Sequence, residues 1–157
     1  MRSLLKNSLF YLFCICFSTA CIEKNTVYHS YQSLSHTGWG KSDTLFFQIT
    51  LNDSVPTLLN LFAEVRNQNS YPYQDLYLFV SQNLRDSLIW ETDTIEIALT
   101  DKAGRWKGNE WGSLHQSTVP IRSVIVSHTG KRTIKVAHGM KDFRLSGLND
   151  VGIRIDR

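Results

Sequence analysis

Cysteine is absent from the sequence after position 21, and with it any disulfide framework for the body of the chain. No apolar run reaches the roughly 20 residues needed to cross a hydrocarbon core. The longest, Leu9 to Phe17, has nine. No segment keeps a 3.6-residue apolar period over three turns, so long amphipathic helices are not expected. The five histidines, His29, His36, His115, His128 and His138, never fall at a zinc-ligand spacing. Neither a G-x-S-x-G elbow nor a G-x-x-x-x-G-K-[ST] loop occurs. Asp53, Asp86, Asp93 and Asp101 read as solvated acids at turns and strand edges rather than a calcium site or an acid/base pair. The clustered basic face that nucleic acid requires is also missing. No catalytic residue, no metal, no noncovalent cofactor and no nucleic acid partner are therefore expected.

What is present begins with an export signal. Arg2 and Lys6 form a positive leader, Leu9 to Phe17 the apolar stretch, and Ser18-Thr19-Ala20 a small-residue exit followed at once by Cys21. This is the layout of a bacterial lipobox, in which cleavage falls before a cysteine already carrying diacylglycerol. Bulky Phe13 and Ile15 precede Cys14 and Cys16, which disqualifies both as the processed residue. The other reading is a plain signal peptide, or an uncleaved anchor, with a free thiol. Processing at Cys21 would leave it as the sole cysteine of the mature chain, best explained as a lipid attachment point. A diacylglyceryl group, usually with an N-acyl (for example palmitate) chain, then anchors the protein, since each buried CH₂ contributes about 0.8 kcal/mol and two chains hold a protein stably. The expected organisation is a lipoprotein signal peptide over 1–20, a lipidated tether over 21–26 and one domain over 27–157. Loss of Arg2 and Lys6 leaves 15 basic against 14 acidic residues, so the basic balance of the whole chain belongs partly to the leader.

Period-two alternation dominates the remainder. A first strand is expected near Val27 to Gln32. Leu45, Phe47, Ile49 and Leu51 share one face, as do Leu59, Leu61, Ala63 and Val65 in the next run. Leu76, Leu78 and Val80 alternate with Tyr77 and Phe79; Ile95, Ile97 and Leu99 with Thr94 and Glu96; and Val151, Ile153 and Ile155 close the chain. Loops are expected at Asn52-Asp53-Ser54 and Asn67 to Pro72, and a hairpin turn at Thr129-Gly130-Lys131 joining "PIRSVIVSH" to "RTIKVAH". Many short strands separated by turns predict an all-β fold, an antiparallel β-sandwich of about eight strands.

The most distinctive interior segment is "GRWKGNEWGSLHQ". Gly104, Gly108 and Gly112 free the backbone around Trp106 and Trp111. The loop either presents its indoles to a sugar or protein partner, as tryptophan does at interaction hot spots, or folds back to plug one end of the sandwich. Tyr71 and Tyr73, flanking Pro72, pose the same choice, and Trp39 is a further candidate for partner or glycan contact.

Several of these elements carry a family resemblance: Trp39 with Asp43 and the Phe46-Phe47 strand; "EVRNQNSYPYQDLYLFV", with Arg66 ahead of Tyr71, Tyr73 and Leu76; the G-x-W-x-G element at Gly104, Trp106 and Gly108; and the ending "HGMKDFRLSGLNDVGIRIDR". In this order, behind a lipobox, they resemble the gliding-motility lipoprotein GldH family over essentially the whole mature chain. The resemblance implies a membrane-anchored, non-enzymatic accessory or adaptor of the gliding machinery, its associated protein-secretion apparatus or the cell envelope, with envelope proteins as partners. The lack of an acidic run in "CIEKN" favours the periplasmic face. A small carbohydrate- or peptidoglycan-binding module, using the tryptophan loop as its aromatic platform, is the alternative.

Overall fold

The computed structural model describes residues 25–52 and 54–157. The expected signal peptide, Cys21, most of the expected tether and Asp53 lie outside the described residues. Eleven strands appear among them: β1 (Thr26–Ser33), β2 (Trp39–Gly40), β3 (Leu45–Leu51), β4 (Thr57–Gln68), β5 (Asp75–Gln82), β6 (Glu91–Ala98), β7 (Asn109–Trp111), β8 (Leu114–Val126), β9 (Gly130–His138), β10 (Arg144–Leu145) and β11 (Leu148–Asp156). Eight have seven residues or more, the number expected from the alternation; β2, β7 and β10 are short additions.

The strands form two facing layers. One sheet runs β1-β11-β4-β8-β7 and the other β3-β9-β5-β6, antiparallel throughout, while β2 and β10 pair separately. Alternation explains the core directly, because successive side chains of a strand point to opposite faces. Leu59, Leu61, Ala63 and Val65 of β4 and Val151, Ile153 and Ile155 of β11 are fully buried. They meet Leu76, Leu78 and Val80 of β5 and Ile134 and Val136 of β9 in one cluster between the layers.

One sequence expectation is corrected. "PIRSVIVSH" and "RTIKVAH" do not form a hairpin: β8 pairs with β4 and β7, whereas β9 pairs with β3 and β5 in the opposite sheet. Alternation says which side of a strand is apolar but not which layer it joins. The long β4 occupies the inner edge of β8 from Val126 to Leu114. The chain therefore leaves the sheet at Gly130, whose φ of 130° suits glycine, and crosses to the gap between β3 and β5. Asp93 is a second correction. It is a strand residue, not a solvated turn acid, and it takes the Arg122 guanidinium at 2.7 Å, clipping β6 to β8 at one edge of the sandwich.

Pro120, without an N–H, sits in β8 opposite Phe62, beside the bulge between Leu61 and Phe62. A bulge is one of the few places where a strand accommodates proline.

Candidate functional site

The outer face of the larger sheet carries the densest polar cluster of the fold. Core residues take the odd positions of β4, so Phe62, Glu64 and Arg66 point outward. The register aligns Tyr31, Gly152, Glu64 and Thr118 in one row across β1, β11, β4 and β8, and His29, Arg154 and Phe62 in the next. Gly152 is the floor. A Cβ there would lie 2.7 Å from the Tyr31 ring, so only glycine lets that ring lie flat across β11 and bring its hydroxyl to Glu64. A glycine inside a strand marks this kind of close approach.

Glu64 is 3% exposed although it faces outward, because its neighbours roof it over. Its Oε2 accepts hydrogen bonds from the Tyr31 hydroxyl and, at 2.9 Å, from His29 Nε2. Its Oε1 accepts one from Arg154 Nε at 3.0 Å and a longer one from Thr118 at 3.5 Å. Burial alone pushes the carboxyl pKa up. The bonds from Tyr31, His29 and Arg154 outweigh it and hold the group below the ordinary carboxylate range. Burial, reinforced by the bond to Glu64, pushes the Tyr31 phenol well above its ordinary value, so it stays a neutral donor. Arg66 extends the cluster: its guanidinium lies 3.9 Å from the Tyr31 ring centroid and 5.3 Å from that of Trp111, and its Nε donates to Gln116 at 3.0 Å. With both oxygens of Glu64 engaged, the arrangement suits a rigid platform better than a general base, which needs a lone pair free for a substrate proton.

The tryptophan loop divides between the two roles open to it. Trp106 is half-buried, bridges Thr100 and stacks on His115 with centroids 5.4 Å apart. Gly108, at a φ of 85°, lets the loop return so tightly that a Cβ would strike the Gln116 carbonyl at 2.2 Å. Trp111, at the end of β7, is 68% exposed beside Arg66. The loop thus uses one indole to fold itself and presents the other.

Trp39 and Tyr71 are core residues, which corrects their candidacy as contact residues. Trp39 is 2% exposed, donates to the Asp43 carbonyl at 2.7 Å and meets His138 edge-on. Tyr71 is buried and donates to the Asp75 carbonyl at 3.0 Å. Tyr73 is half-buried against the core, and its hydroxyl donates to Asp142. With Tyr77, Gly139, Met140 and Lys141 it lines an apolar-walled cleft of about 410 Å³. Sequence reading missed Glu64, Tyr31, His29 and Arg154. Gly152 inside "DVGIRI" was the available signal, since it leaves room for a ring to cross the strand.

These features define an antiparallel β-sandwich with one polar, hydrogen-bonded sheet face and the Trp111 indole presented at its rim. The chain belongs to the GldH lipoprotein family, whose model matches residues 26–155. It is 28% identical to the gliding motility lipoprotein GldH homolog of Christiangramia forsetii, in an alignment covering 100% of this chain and 98% of that protein. It is 26% identical to the gliding motility lipoprotein GldH of Flavobacterium johnsoniae, with 98% of each chain covered. Among solved structures, a family 35 carbohydrate binding module from Clostridium thermocellum aligns over 80% of this chain and 78% of its own at 14% identity and a TM-score of 0.44. Dimeric latent PorU from Porphyromonas gingivalis aligns over 89% and 14% at 11% identity and a TM-score of 0.37. Scores this low transfer neither a ligand nor a role.

Proposed function

We propose that this protein is a membrane-anchored, non-enzymatic adaptor of the gliding-motility and associated protein-secretion machinery, held at the periplasmic side of the cell envelope by an acylated Cys21. The observation that carries the reading is family membership over nearly the whole chain, with relatives named as gliding motility lipoproteins aligned end to end. The lipobox ending at Cys21 supports the anchor. The engaged lone pairs of Glu64 support a binding rather than a chemical role. Trp111 and Arg66 form the partner contact, because they place an exposed indole beside a guanidinium on a rigid sheet.

Palmitate labelling of wild type and Cys21→Ala tests the anchor; equal labelling rejects it. A deletion strain, complemented with wild type or with Trp111→Ala, tests the role through colony spreading and secreted-protein content. Unchanged spreading and secretion in the deletion strain reject the adaptor. The exposed Trp111 indole also favours a second reading, a carbohydrate- or peptidoglycan-binding module. Glycan pull-down that is absent, or unaffected by Trp111→Ala, removes it.

A further inference from the structure

Ten large hydrophobic side chains are exposed among the described residues, and their distribution is uneven. Six of them, Val55, Leu58, Leu88, Ile89, Trp90 and Ile125, gather at one end of the sandwich. The register places them there. Leu58 pairs with Ile125 at the end of β4 and β8, next to the β3–β4 loop that carries Val55. Leu88, Ile89 and Trp90 belong to the β5–β6 loop. That loop and the β8–β9 loop share a cleft lined by Arg85, Asp86, Ser87, His128 and Arg132. Single exposed apolar residues are ordinary. Here two groups share one end of the sandwich: Leu58 with Ile125 on the outer side of the larger sheet, and Leu88, Ile89 and Trp90 in the β5–β6 loop of the other.

The same end receives the start of the domain. Thr26 pairs with Asp156, Asp156 pairs with Asn60, and the Asn25 carbonyl accepts a hydrogen bond from the Arg157 amide at 3.0 Å. Four residue steps separate Asn25 from Cys21. Even fully extended they reach only about 14 Å, at roughly 3.5 Å per residue. A lipid on Cys21 therefore holds this end, and no other, within a short distance of the membrane.

We propose that the Asn25 end of the sandwich docks on the lipid bilayer, with Leu88, Ile89 and Trp90 of the β5–β6 loop entering the interfacial layer and Leu58 and Ile125 of the other sheet facing it from the same end. The inference rests on the acylated Cys21 of the functional reading above. The side-chain chemistry fits a lipid surface. Leu88 is 87% exposed and stands at the tip of a turn fixed by two bonds to Asp86, from the Leu88 amide to the carboxylate and from the Ile89 amide to the carbonyl. The Asp86 charge is thus directed into the turn rather than toward the membrane. Trp90, the residue type that favours the bilayer interface, packs under the Lys135 ammonium at 3.7 Å. Arg85, in the same loop, and Lys131, at the start of β9, are exposed, and Arg85 is paired with Glu91 at 3.3 Å.

The test uses the full lipidated protein, reconstituted in vesicles of phosphatidylethanolamine and phosphatidylglycerol. Acylation of Cys21 leaves an engineered thiol as the reactive one. A nitroxide is placed at Leu88→Cys and, for comparison, at Phe143→Cys, an exposed position at the opposite end. Collision rates with oxygen, which partitions into lipid, and with a water-soluble nickel chelate are then compared. The expected result is a severalfold higher oxygen-to-nickel ratio at 88 than at 143. Equal, water-like ratios at both positions overturn the proposal. A label at 88 shielded from both reagents also overturns it, because that is the signature of a protein partner seated on this end. Intact mass of the same sample separates the two layers of inference. An unacylated chain removes the anchor and this proposal together, whereas an acylated chain with a water-exposed label at 88 removes this proposal alone.

Discussion

Replacing Glu64 with glutamine is the sharpest test of the polar face. The substitution keeps the shape and removes the charge. The carboxylate accepts from Tyr31 and His29 on one oxygen and from Arg154 on the other. An amide can accept on only one side, so one orientation sets its NH₂ against Arg154 and the other sets it against Tyr31. Hydrogen bonds to a charged group contribute about 1.5–3 kcal/mol each. The His29 side chain is 42% exposed, so its share is close to that of a surface pair, about 0–1 kcal/mol. Arg154 keeps Asp156 as a second partner, so the loss stays below the ~3–5 kcal/mol seen when a fully buried pair is broken. The expected cost is about 2–4 kcal/mol, which for a domain of this size lowers Tm by roughly 10 °C. The assay is thermal unfolding followed by circular dichroism at pH 7 and at pH 4 or below. Because the folded carboxyl pKa lies under its ordinary 4.5, the unfolded chain takes up the proton first as pH falls. The wild-type advantage is therefore complete above about pH 4.5 and shrinks below it, whereas the glutamine variant has no such slope. A difference under about 0.5 kcal/mol at neutral pH, the scale of an ordinary surface substitution, would refute the account. So would a gap that does not change with pH.

Gly152→Ala should lift the Tyr31 ring off β11 and cost about 1–3 kcal/mol in urea unfolding, the range for an overpacked site, with little further loss when Tyr31→Phe is added. His138 is buried, and burial, with Lys41 adding to it, pushes its pKa down. The unfolded chain then binds the proton first, so stability should fall as pH drops below about 6.5, and His138→Phe should remove that portion of the pH profile. Trp111→Ala should change stability by less than about 0.5 kcal/mol, since the side chain is mostly solvated, while reducing recovery of crosslinked envelope partners. Trp106→Ala should cost several times more, because it removes the ring stacked on His115.

The strand faces were legible because burial in a sandwich is a period-two property: every apolar position read from β4, β5 and β11 is fully buried. Layer membership was not legible. The segments now in β8 and β9 alternate equally well as a hairpin or as strands of opposite sheets, and what decides between them is occupancy of the β8 edge by β4, far earlier in the chain. The polar face was invisible for a related reason. A glutamate alternating with leucine, alanine and valine looks like any solvated strand residue. Its partners Tyr31 and Arg154 stand 33 and 90 positions away and meet it only through the register of β1 and β11. The tryptophan loop was half legible: the glycines located it, but only the return of Gly108 to the Gln116 carbonyl decides which indole turns inward.

Geometry also separates the two surfaces proposed for this protein. β8 runs the length of the sandwich, from Leu114 beside Trp111 to Val126 beside the apolar end. Thirteen residues at about 3.3 Å each make that distance roughly 40 Å. With the Leu88 end at the bilayer, Trp111 and Arg66 stand well beyond the ~8–10 Å over which headgroup charge acts at physiological salt. Partner contact at one end and lipid contact at the other then draw on different residues and respond to different conditions. Salt should weaken the Arg66 side of a partner contact and leave apolar docking intact. On the proposed anchoring, the β-sandwich that buries its core between two sheets would also serve as a spacer, setting Trp111 and Arg66 at a fixed height above the membrane.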